Sequence, residues 1–131
     1  MTLKLTAFAV VLGVGTVAGA AQALAGADDY AFEPVAVDVR NGPGSDLAVR
    51  LVHKPSGKPV EQAVVFRTRP DMAPDGMEAM TAAHEPMPES EPGVYRLKAD
   101  LTMAGQWALK LMAKVQGEPE TVHGTVVFKA K

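Results

Sequence analysis

VYRLKADLTMAGQWALKLMAKV, residues 94–115, alternates apolar with polar or small side chains through nearly its whole length. Tyr95, Leu97, Ala99 and Leu101 lie on one side against Arg96, Lys98 and Asp100. After Met103-Ala104-Gly105 the pattern resumes, with Trp107, Leu109, Leu111, Ala113 and Val115 against Ala108, Lys110, Met112 and Lys114. Successive side chains of an extended strand point to opposite faces, so a period of two with one apolar side specifies a half-buried strand, not a helix. The two runs predict two β-strands, read as a hairpin closed at Met103–Gly105.

Working outward, the same period recurs. Upstream, Val35, Val37 and Val39 alternate with Ala36, Asp38 and Arg40, a predicted first strand that stops at Asn41-Gly42-Pro43-Gly44. Leu47, Val49 and Leu51 share one face of a second, which ends at His53 before the turn residues 54–59. A third strand is predicted over Ala63–Thr68, with Val64 and Phe66 on one side and Val65, Arg67 and Arg69 on the other; Pro70 is expected to end it. Downstream, a strand over Thr121–Lys129 buries Val122, Val126 and Phe128, leaves His123 outward, and sets Gly124 at a close-packed or bulged position. Six or seven strands without a long helix predict an all-β fold, an antiparallel two-sheet sandwich of immunoglobulin-like architecture.

The 131 residues suit one domain. Lys4, the uncharged apolar run Leu5–Ala18 and the small residues that follow have the form of a secretory signal peptide. The run is shorter than the ~20 residues needed to span a bilayer, which argues against an uncleaved anchor. Ala21-Gln22-Ala23 and Ala23-Leu24-Ala25 both offer cleavage sites, and the second is preferred. The expected organisation is a signal peptide over 1–25, a flexible segment over 26–32 and a sandwich over 33–131, in the periplasm or secreted, with no membrane insertion after cleavage. The chain has no cysteine, so neither a disulfide nor a cysteine-borne lipid holds it. Without Lys4, twelve basic residues face fifteen acidic ones. That balance gives no electrostatic reason to expect nucleic acid or an anionic membrane as partner.

Residues 70–92 break the pattern: they hold five of the ten prolines and no strand period, an unusual length for a structureless connection. Within DMAPDGMEAMTAAHEPM lie Met72, Met77, Met80 and Met87, with His84 among them, and Met103 stands at the turn before Trp107. A thioether is a soft, uncharged donor that selects Cu(I) or Ag(I) over Zn, Mg or Ca, and it serves in an oxidising compartment where cysteines form disulfides. Asp75 and Glu78 also have the spacing of a helix cap, which would put Met77, Met80 and His84 on one helical face. The same spacing equally suits methionines packed on a core, or an adaptable surface for a partner protein. Asp71, Asp75, Glu78 and Glu85 lack the spacing of an EF-hand loop. His53 and His123 read as surface histidines. Arg67 and Arg69 with Lys110 and Lys114 form a basic strip that an ordinary solvated face explains. No nucleophile elbow, H-E-x-x-H, P-loop or dinucleotide fingerprint occurs, so an enzyme is not expected.

The segment from Arg67 to Gly117, through its Met-Pro-Gly-Met loop, the Gly93-Val94-Tyr95 entry to a strand and the Met103-Ala104-Gly105-Gln106-Trp107 turn, resembles the YtkA-like or FixH-like family of small exported domains. The resemblance implies an immunoglobulin-type sandwich in a copper or silver context, linked to heavy-metal efflux and, for the FixH branch, oxidase assembly. Taken with the thioether reading of the residues, this context leads to the first expectation: a Cu(I)/Ag(I)-binding accessory or chaperone whose donors are Met72, Met77, Met80, His84 and Met87, with Met103 completing the site, and whose partner is an efflux adaptor or another exported or membrane protein. The competing expectation is a metal-free interaction module of a transporter or assembly complex, docking through residues 70–92 and the adjacent sheet.

Overall fold

The computed structural model describes residues 26–89 and 91–131; the expected signal peptide and its cleavage point after Ala25 lie outside them. A 3-10 turn, Gly26–Asp29, leads into β1 (Tyr30–Pro34), β2 (Asp38–Val39), β3 (Gly42–His53), β4 (Lys58–Pro59) and β5 (Val64–Met72). A second 3-10 turn, Ala73–Asp75, precedes β6 (Met77–Thr81), β7 (His84–Pro86), β8 (Val94–Leu101), β9 (Gly105–Lys114) and β10 (Val122–Ala130). One sheet runs β2-β10-β9-β5-β6; the other runs β1-β3-β8-β7, with β4 added to β3. Neighbours are antiparallel except β2 and β10, which are parallel. The all-β two-sheet sandwich is as the alternation predicts, and seven of its strands have five or more residues.

The alternating residues meet in the middle. Trp107, Leu109 and Leu111 of β9 and Val126 and Phe128 of β10 pack against Leu47 and Val49 of β3 and Leu97 and Leu101 of β8. Leu51, Val115 and Val122 form a smaller cluster beside Tyr30 and Phe32. Gly124 is at the close approach the sequence suggests, because a Cβ there would collide with the ring of Phe32.

Several local expectations are corrected. The two runs of residues 94–115 are strands, but they do not form a hairpin: β8 belongs to one sheet and β9 to the other, and β9 pairs with β10 and β5. Alternation reports which face is buried, not which strand lies alongside. Residues 26–32 are a turn and most of β1 rather than a flexible lead-in, since β1 pairs with β3 and carries Phe32 onto Gly124. The expected first strand is split. The Val35 N–H donates to the Ala48 carbonyl in one sheet and the Lys129 N–H to the Val37 carbonyl in the other, so the chain crosses between them with both valines exposed.

Pro70 does not end β5, which continues to Met72. The Pro70 carbonyl accepts from the Ala82 N–H. In a strand a residue's nitrogen and carbonyl face the same side, so the proline nitrogen is turned away from β9 and the β5–β9 ladder loses no donor. Residues 70–92 are therefore not structureless: they finish β5 and supply β6 and β7 as an outer strand on each sheet. Met77–Thr81 is extended, so Met77, Met80 and His84 share no helical face.

Candidate functional site

Two methionines are in register at the β5–β6 end of the sandwich, and a third stands in the turn that leads to the neighbouring Gly105. Met72, at the end of β5, is wholly buried and stands opposite Met77 across the β5–β6 pair. Its methyl carbon lies 2.7 Å from where a Cβ on Gly105 would be, and Gly105 has φ +141°, so both space and backbone reserve that position for glycine. Met103 is two residues earlier, its carbonyl accepting from the Trp107 indole N–H at 3.1 Å. An Asp75 carboxylate oxygen accepts from the Gln106 N–H at 2.9 Å and ties the 3-10 turn to the start of β9. Met77 and Met103 are each 38 % exposed. The corner thus has one thioether inside and two at the surface, and its nearest carboxylate is already bonded.

The remaining candidate donors lie elsewhere. Met80 is half-buried against the main core. His84 bridges the two sheets: its Nε2 is 2.7 Å from the Thr68 hydroxyl and its Nδ1 3.0 Å from the Ala82 carbonyl, which accepts and so fixes Nδ1 as the protonated nitrogen. Met87 lines a cleft between the sheets with Tyr95, Leu97 and Phe66. Met112 stands in register with His123 on the outer face of β9 and β10, His123 exposed as expected.

The acidic residues of this region are held by basic ones. Asp71 is fully buried; its carboxylate accepts from Arg69 Nε and Lys110 Nζ, each at 3.1 Å, and from the Ala73 N–H at 2.9 Å. Burial pushes the Asp71 carboxyl up, but the Ala73 N–H, Lys110 and Arg69 outweigh it and hold it below the usual carboxylate range. Lys110 also reaches Glu78 at 3.1 Å, and the hydrogen bonds it donates to Asp71 and Glu78 raise its ammonium above the usual value. The predicted basic strip is therefore partly neutralised. The only signal of this network in the sequence is that Arg69 and Asp71, two apart on a strand, share a face. Among the described residues, no three His, Asp or Glu side chains are arranged to hold a metal ion, and no helix is long and apolar enough to cross a membrane.

Comparison with known proteins returns a family. The model of the YtkA-like family matches residues 24–112, from before β1 to within β9 and across the whole methionine corner. No curated protein matches the chain. Over two thirds of its length, the chain belongs to the YtkA-like family.

Proposed function

We propose that this protein is an exported, non-catalytic accessory that holds Cu(I) or Ag(I) at the Met72–Met77–Met103 corner and passes the ion to a partner of a heavy-metal efflux system. The observation that carries the reading is the placement of three neutral thioethers on adjoining segments of chain: Met72 and Met77 in register across β5 and β6, and Met103 two residues from the Gly105 against which Met72 packs. The donor set suits the cargo, since thioethers favour soft monovalent ions and offer little to Zn, Mg or Ca. Exchange needs no redox or hydrolytic step: a site open on two of its three donors releases its ion to a competing ligand. Of the other donors drawn from the same sequence loop, Met80 packs on the main core, His84 is held in the inter-sheet hydrogen bonds, and Met87 stands apart in the cleft with Tyr95, Leu97 and Phe66.

The test is a titration of the protein with Ag(I), followed through carbon-13-labelled methionine methyl resonances. The expected result is that Met72, Met77 and Met103 shift together while Met87 and Met112 stay in place. Silence at all methionines, or a response confined to Met87 or Met112, would overturn the assignment.

A further inference from the structure

The side of β5 that faces away from β9 is open over much of its length. β6 pairs with β5 only at Asp71 and Met72, and among the described residues no strand lies beside Val64–Thr68 on that side. The Pro70 carbonyl points that way, to Ala82. By two-residue alternation the Thr68 amide and carbonyl do too. A bulge falls at Phe66, between the Arg67–Met112 and Val65–Ala113 pairs, leaving Phe66 50 % and Val64 62 % exposed. Two clefts, of 340 and 330 Å³, meet along this edge and share Arg67 and Thr68 in their walls. Met87 and Tyr95 close the first on the opposite sheet, and His84 closes the second.

Charge narrows the choice of occupant. Arg67 opposes Met112 on the outer face and makes no ion pair among the described residues. A strand added to β5 would turn alternate side chains inward to the apolar cleft and outward beside Arg67. A second copy of this chain fits poorly. Two β5 edges related by a twofold axis would bring Arg67 and Arg69 close to their own counterparts, and a bulge on an edge discourages self-pairing. We propose that this groove receives an extended segment of another protein, alternating apolar with acidic residues, as an added strand on β5. The groove is separate from the methionine corner and shares none of its three side chains, so either stands without the other.

The experiment uses two short labelled peptides, one alternating valine with aspartate and one valine with lysine, against the wild-type protein and Arg67→Glu. Fluorescence anisotropy is expected to show the aspartate peptide binding the wild type in preference to the lysine peptide. Arg67→Glu should weaken the aspartate peptide by about tenfold, as for a lost close charge pair, with the melting temperature unchanged. Amide exchange should slow at Thr68 and its neighbours on β5 when the aspartate peptide is added. Equal binding of both peptides, absence of binding, binding without protection on β5, or an Arg67→Glu variant that binds as the wild type does would each overturn the proposal.

Discussion

At the residue scale, Asp71 is the side chain with the most at stake. It is wholly buried, yet it stays charged because two cations and a backbone N–H converge on it. Its folded-state pKa is depressed, so its stabilisation is present above the unfolded carboxylate value of about 3.9 and is lost as pH falls through the folded value. Asp71→Asn should cost roughly 1–3 kcal/mol near neutrality, where a charge-assisted acceptor is replaced by an amide facing donors. Melting temperatures of both proteins across the acid range check the sign: the gap should hold near neutrality and close in acid. A gap unchanged into strong acid would contradict the assignment. Gly124 was legible in advance as a close-packed position, because glycine inside a strand has few other uses. Asp71 was not, because its surroundings come from β6 paired beside it and from the 3-10 turn whose Ala73 N–H donates to it, an arrangement no local pattern encodes.

At the scale of elements, the strands that bury a face were legible and their partners were not. Leu47, Val49 and Leu51, and the alternating runs of β8, β9 and β10, are buried as their period requires. The hairpin expected between β8 and β9 fails because both strands bury an apolar face against each other across the core, and the same alternation serves either arrangement. β6 and β7 are not marked in the sequence because they are short and lie at sheet margins, and β7 ends on a proline. What fixes the loop ahead of β5 is a long-range contact. The Tyr95 hydroxyl on β8 donates to the Val60 carbonyl at 2.7 Å and accepts from the Ala63 N–H at 2.9 Å. Tyr95→Phe should cost about 1–2 kcal/mol and speed exchange of the Ala63 amide, with the denaturant slope unchanged. A variant as stable as the wild type, its Ala63 amide still protected, would remove that tie from the account.

At the scale of the whole molecule, a cysteine-free chain relies on packing two amphipathic sheets around Trp107 and Phe128, and this much the alternation of residues 94–115 already implied. The candidate site was half legible. Soft donors concentrated in one segment suggest the chemistry proposed above, but only the fold separates Met72, Met77 and Met103 from Met80, Met87 and His84, because strands and sheet crossings scatter what a helix would have aligned. The measurement that bears most directly on the account is a Cu(I) competition titration with a colorimetric chelator, comparing the wild type with Met77→Leu/Met103→Leu and with Met87→Leu/His84→Ala. Leucine keeps the apolar volume and removes the sulfur, and both methionines of the first variant are partly exposed, so that variant should fold as the wild type does. Stoichiometric Cu(I) binding is expected for the wild type and for Met87→Leu/His84→Ala, and its loss in Met77→Leu/Met103→Leu. Retention of binding in Met77→Leu/Met103→Leu, or no binding by the wild type, would contradict it.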